Sequence, residues 1–155
     1  LLPFSVSAEV ISGRVLRVVD GDTLCLLDAA KTPHSVRLGG NDAFERRQSF
    51  GRRSKKRMTE LVAGKDVEVD WYKEDRRGRL IGAVWVASPN CRSVPCPKTL
   101  DAGLALVASG LAWHFKRYAR EQSEGERGRY AFAEEEARAR RLRLSRDPVP
   151  LPTWE

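Results

Sequence analysis

Carboxylates and guanidinium groups recur in this chain at spacings that suit a hard cation and a phosphodiester. Asp20 and Asp22 flank Gly21 in the run Val-Val-Asp-Gly-Asp-Thr (18–23). Nineteen residues after Asp20 begins Gly-Gly-Asn-Asp-Ala-Phe-Glu (39–45), which holds Asp42 and Glu45 and follows Arg37 closely. A third block, Asp-Arg-Arg-Gly-Arg (75–79), adds Arg77 and Arg79. Hard cations take carboxylate and carbonyl oxygens, and arginines present paired planar donors to phosphate oxygens. Each block also has an ordinary structural use. Asp-Gly between apolar runs is a hairpin turn. Arg37 could pair across a sheet with Glu68 or Asp70, Glu45 could cap a helix, and residues 75–79 could be only a charged hairpin loop.

Composition favours a polyanionic partner. The 155 residues suit one domain, with 41% hydrophobic and 32% charged residues. Lys and Arg number 28 against 21 Asp and Glu, a formal net charge of +7. The excess is concentrated in residues 46–57 (RRQSFGRRSKKR), with seven bases and no acid. A like-charged face repels itself, which makes an anionic ligand nearby more favourable. No run of 18 apolar residues is present to span a membrane, and none is expected as a partner. Leu1–Ala8 is apolar and ends Val6-Ser7-Ala8, a small-x-small pattern. It is expected as a signal-peptide remnant or a disordered arm, with a single domain over 9–155 exported beyond the cytoplasm. Cys91 and Cys96 flank a four-residue Pro-containing loop, and a disulfide there would suit an oxidising compartment. Cys25 reads as a buried thiol inside a strand.

The elements that must position these residues follow from periodicity. Residues 10–19, 23–27 and 35–38 read as a three-strand meander with two short turns. Residues 49–63 switch to a helical period, with Phe50, Ser54, Met58, Leu61 and Val62 on one face and Gly64 as the stop. Strands return at 66–71 and 80–87. Thr99 can cap a helix over 100–109 that ends at Gly110, and a last helix covers 127–142 behind a thin stripe of Tyr130, Ala133 and Ala137. Five strands with a helix after the third is the order of an OB-fold barrel, an α+β, mainly β fold that commonly binds oligonucleotides. His34 and His114 have no companion at metal-ligand spacing and read as surface or strand residues. Trp71, Trp85 and Trp113 read as core or barrel-cover residues.

In this order and spacing the blocks resemble the staphylococcal nuclease family, over roughly residues 12–155. Supporting markers are Ala-Gly-Leu-Ala (102–105), Gly-Leu-Ala-Trp (110–113) and Pro-Thr-Trp-Glu (152–155), the last two typical of the exported bacterial branch. The resemblance implies a five-stranded OB-fold barrel with three helices. It implies Ca2+-dependent, sugar-nonspecific hydrolysis of DNA and RNA phosphodiesters by metal-assisted attack of water, leaving 3′-phosphates. Asp22 and Asp42 match the metal-ligating carboxylates, Ala43 a backbone-carbonyl ligand, and Asp20 an acid linked to the metal through water. Glu45 matches the acid held responsible for the attacking water, and Arg37 and Arg79 the phosphate-binding arginines. Arg77 and Tyr118 fall where nucleotide-lining tyrosines often stand. Asn41 and Phe44 depart from an aliphatic residue and a proline, and Arg143-Leu144-Ser145 replaces a terminal Gly-Leu-Trp. The chain is expected to act as a monomer on DNA and RNA. The alternative is a non-catalytic nucleic-acid- or protein-binding module of the same fold, which would lack the Asp, Glu or Arg positions present here.

Overall fold

The computed structural model describes residues 9–43, 51–114 and 121–140. Strand β1 (Glu9–Asp20) is long enough to serve two partners. Its first half, Glu9 to Arg14, pairs antiparallel with β5 (Asp66–Glu74), and its second half, Gly13 to Asp20, pairs with β2 (Thr23–Asp28). The bend between the halves needs a glycine. A Cβ on Gly13 would lie 2.5 Å from the Leu27 carbonyl oxygen and 2.7 Å from Leu26 Cδ1. Register shifts between Val15 and Arg17 and between Val18 and Asp20 curl the strand further.

β2 continues into β3 (Pro33–Leu38), and β5 into β6 (Leu80–Val86). β3 and β6 then close the sheet in parallel, Val36 against Leu80, Arg37 against Ile81 and Leu38 against Gly82. The cyclic order β1-β2-β3-β6-β5 is a closed five-stranded barrel, the expected OB architecture. Alternation along each strand sends Val15, Leu24, Leu26, Val36, Leu38, Val67, Val69 and Val84 into one buried core. Cys25 lies between inward-facing Leu24 and Leu26, so it turns outward and is half-buried rather than the buried thiol expected.

Helix α1 (Gly51–Val62) plugs the barrel with Met58, Leu61 and Val62, and its buried Ser54 hydroxyl donates to the Leu111 carbonyl. Gly64, at φ 70°, takes the left-handed conformation that ends the helix. Helix α2 (Ala102–Ala108) starts later than expected. Residues 100–101 form a short strand, β7, against Val86 and Trp85, so Asp101 rather than Thr99 caps the helix, accepting from the Leu104 amide at 3.2 Å. Helix α3 (Glu124–Ala139) starts earlier than expected because Ser123 caps it, its hydroxyl accepting from the Glu126 amide at 3.1 Å. Tyr130, Ala133 and Ala137 are buried as the thin stripe requires. Two further short strands, β4 (Asn41–Ala43) and β8 (Ala112–His114), make a separate antiparallel ribbon that the sequence reading did not contain. Cys91 and Cys96 are bonded, with 6.0 Å between Cα atoms.

Candidate active site

One rim of the barrel gathers the turn between β1 and β2, the end of β3 and the start of β6. Asp20 is the last residue of β1, pairs with Thr23, and is half-buried. Gly21 and Asp22 bridge the two strands. The Leu38 amide donates to the Asp22 carbonyl at 2.8 Å, which ties this turn to the end of β3. Thr23 opposes Arg37 across the β2–β3 ladder, so Asp22 and Arg37 come together. Arg37 Nη2 lies 3.6 Å from Asp22 Oδ2, and Thr23 Oγ1 donates to Asp22 Oδ1 at 2.9 Å. Arg37 Nη1 donates to the Leu38 carbonyl. Asp22 is 9% exposed and Arg37 7%, so this is a buried acid beside a buried base. The ion pair described for Arg37 is with Asp22, whereas Glu68 and Asp70 lie on β5, which is not a neighbour of β3.

The loop 75–79 is clasped around Asp75. Its Oδ1 accepts from the Arg77 and Arg79 amides, each at 2.9 Å, and its Oδ2 accepts from Arg79 Nε at 2.7 Å. Burial opposes ionisation of Asp75, but the hydrogen bonds from Arg79 and Arg77 outweigh it and hold the carboxyl below its ordinary range. Gly78 turns the loop at φ 77°. Arg79 stands immediately before β6 and two residues before Ile81, which pairs with Arg37, so the loop delivers it to the edge of the β3–β6 pairing. The loop is thus the charged hairpin anticipated, but one that fixes the guanidinium by its Nε edge. Exposed Arg77 joins Lys73, Arg76, Arg79 and three acids around an open cleft of about 620 Å³ beside the rim.

The ribbon β4–β8 brings the third segment. In its backbone Asp42 pairs with Trp113 and Ala43 with Ala112. Gly39 and Gly40 lead β3 into it under close cover. A Cβ on Gly39 would lie 2.2 Å from Tyr72 Oη, and one on Gly40 would lie 2.4 Å from both Gln122 Nε2 and Tyr130 Cε2. Behind the ribbon stands a buried polar column. The His114 amide donates to Glu134 Oε2 at 2.6 Å, His114 Nε2 bonds Gln122 Oε1 at 2.7 Å, and Gln122 Nε2 donates to Glu126 Oε1 at 3.2 Å. His114 therefore has the strand role expected, buried rather than on the surface. Spacing and motif do not mark Gln122 or Glu134 as members of this column. A signal was present, since Glu134 falls on the same helical face as Tyr130, Ala133 and Ala137. A carboxylate in an apolar stripe needs a buried partner.

The described geometry thus joins Asp20, Asp22 and Arg37 on one rim, puts Arg79 in the loop just before β6, and leaves Arg77 at the edge of the cleft. Glu45 and Tyr118 lie outside the described residues, as does the Leu1–Ala8 segment. The available ligands are carboxylate and carbonyl oxygens, the donor set of a hard cation such as Ca2+. Among the described residues no three His, Cys, Asp or Glu side chains converge on one point.

A basic OB barrel with acids and arginines on one rim belongs to a class of phosphodiester-handling proteins, and comparison with known proteins narrows it. A family profile described as "Staphylococcal nuclease homologue" matches residues 24–146. The chain is 37% identical over 145 residues to Protein ParB of Escherichia coli, covering 94% of this chain and 78% of that protein. It is 34% identical over 144 residues to an uncharacterized endonuclease of Escherichia coli O157:H7, covering 93% and 83%. It is 32% identical over 143 residues to a micrococcal nuclease of Shigella flexneri, covering 92% and 78%. The chain belongs to the staphylococcal nuclease family and is a nuclease, a hydrolase acting on ester bonds.

Proposed function

We propose that the chain is a Ca2+-dependent, sugar-nonspecific nuclease that hydrolyses DNA and RNA and leaves 3′-phosphates. The observation that supports the reading is the position of Arg37 on β3 and of Arg79 immediately before the paired strand β6, beside the Asp20–Asp22 turn. Asp22, Asp42 and the Ala43 carbonyl would hold the ion, with Asp20 acting through water. An ion held there would neutralise charge at the phosphate and polarise a water. Glu45 accepts that water's proton or orients it. Arg37 and Arg79 donate to the equatorial phosphate oxygens, where charge grows as the pentacoordinate transition state forms. Asp75 positions Arg79 by holding its Nε, and Arg77 and Tyr118 line the nucleotide. We place the protein outside the cytoplasm as a monomer. The bonded Cys91–Cys96 pair supports export, because such bonds persist in oxidising compartments.

Digestion of plasmid DNA and of RNA with Ca2+, with Mg2+ and with chelator tests the reading. Both substrates should be cut with Ca2+ and neither with chelator. The DNA products should resist polymerase extension until treated with a phosphatase. Undiminished cutting in chelator, or products extended without phosphatase, would overturn it.

A further inference from the structure

Helix α1 is charged against its own stability. Arg52 and Arg53 stand in its first turn, where the helix dipole favours acids, and its one acid, Glu60, stands in the last turn, where the dipole favours bases. Arg52 and Lys56, like Arg53 and Arg57, are like-charged neighbours at i and i+4, and such pairs repel. Helix α3 is built the other way. It has Glu124 and Glu126 in its first turn and Arg138 in its last, with ion pairs from Glu134 to Arg138 at 3.5 Å and from Glu136 to Arg140 at 3.4 Å. In α1, Arg57 pairs with Glu60 at 3.3 Å, but among the described residues Arg52, Lys55 and Lys56 have no acid partner. Lys55 and Lys56 each stand about 5–6 Å from Arg52 at the Cβ atoms, so the three form one patch. A face that opposes the fold's stability points to a ligand outside the fold.

The helix is also tied to the strand that leads to the rim. The Gly64 amide donates to the Val15 carbonyl and the Val15 amide to the Lys65 carbonyl, each at 3.0 Å. Asp20 lies further along the same strand, at most about 17 Å away, and exposed Arg17 stands between Val15 and Asp20. The helix itself is about 18 Å long. A nucleic-acid strand held at the rim, with a phosphate every 3.4 Å or so, passes Arg17 and reaches the length of α1 within about ten nucleotides. We propose that the outward face of α1, through Arg52, Lys55 and Lys56, is a second contact for the substrate. It holds phosphates of the bound strand about five to ten nucleotides from the scissile bond, whatever the sequence, because backbone contacts carry no base information. Long chains are thereby preferred over short ones.

This contact deepens the nuclease reading above and rests on it, and the test separates the two. Binding of a fluorescent DNA strand of about 20 nucleotides is followed in chelator at about 50 mM salt, so that no turnover is involved. The triple variant Arg52→Gln, Lys55→Gln, Lys56→Gln keeps helix propensity and removes repulsion, so its melting temperature should hold or rise. It should bind the strand at least about tenfold more weakly, and the slope of log affinity against log salt should fall by about 2. With Ca2+, its KM for the long strand should rise with kcat unchanged, while both constants for a trinucleotide stay at wild type. A control with the same change of charge elsewhere, Arg92→Gln, Lys98→Gln, Arg127→Gln, should lose less than about threefold in affinity. Wild-type binding by the first variant, an equal loss in the control, or an equal loss on the trinucleotide would overturn the proposal. So would intact DNA binding with loss of adhesion to phosphatidylserine vesicles, which would assign the face to a membrane. A protein that cuts DNA with Ca2+ but binds the long strand equally well in the first variant refutes this contact alone. One that shows the difference in binding but never cuts refutes the nuclease reading alone.

Discussion

Replacing Gly40 by alanine should damage catalysis far more than stability. The new Cβ would sit 2.4 Å from Tyr130 Cε2 and 2.7 Å from its Cζ, about 1 Å inside ordinary contact, which begins at 3.4 Å. Tyr130 cannot retreat freely. It is 1% exposed, and its hydroxyl donates to Asp101 Oδ1 at 2.8 Å. Gln122 Nε2, at 2.4 Å from the same Cβ, belongs to a flexible side chain but is bonded to Glu126. The backbone of Gly40 must therefore yield, and β4 begins at the next residue. Overpacking of this kind typically costs about 1–3 kcal/mol, which at this chain length lowers Tm by about 2–12 °C. A shift of about 1 Å carried into a reacting constellation can cost about a hundredfold in rate. Gly128→Ala is the control. Nothing lies within 4 Å of a Cβ there, so it should stabilise the helix by about 0.5–1 kcal/mol and leave turnover unchanged. The assay pairs thermal melting with initial rates on plasmid DNA at saturating Ca2+. A Gly40→Ala protein with wild-type turnover would refute the claim that this packing sets the position of Asp42.

Arg79→Ala or Glu45→Ala should lower turnover by at least about a hundredfold with little change in Tm, read from single-turnover rates. Arg37→Ala should also lose up to about 3–5 kcal/mol of stability, because it removes the guanidinium paired with the buried Asp22 carboxylate, so urea unfolding must accompany its kinetics. Asp75 and Asp101 should respond to pH in opposite senses. Asp75 is held below 3.8 in the folded state, so its contribution is fully present above that value and is lost as pH falls through the folded one. Asp101 is raised above 3.8 by burial, with Tyr130 and the Leu104 amide opposing, so its contribution is fully present below 3.8 and is lost as pH rises through the folded value. Urea midpoints across the acid range should show each dependence disappear in Asp75→Asn and Asp101→Asn respectively. Removing both Cys91 and Cys96 as serines should cost about 2 kcal/mol or less and leave turnover intact. The loop they close leaves the far end of β6 from Arg79, so a calorimetric scan with a rate measurement checks both halves.

The barrel was legible because its strands are long enough to alternate. Leu24, Leu26 and Val36 mark an inward face unambiguously, and Gly64 and Gly110 stop helices where a left-handed residue is needed. The ribbon was not legible. Strands of three residues such as β4 and β8 carry barely one period, and their pairing joins segments about seventy residues apart. Thr99 was a reasonable cap by residue type, but pairing of Asp101 with Trp85 overrode it. The rim acids and arginines could be named from spacing and resemblance together. The column His114–Gln122–Glu126 could not, because it depends on α3 crossing behind β8.

Asp22 and Asp42 ride on different bodies. Asp22 belongs to the barrel's own hairpin, whereas Asp42 sits on a ribbon fastened through β8 to α2 and α3. A divalent ion gripped by both would act as a rivet between barrel and helical layer, since whatever binds only the assembled state stabilises it. Occupancy and mechanical integrity would then be one property of the molecule. Starving it of the ion would not merely silence the chemistry but slacken the hold of the ribbon on the barrel.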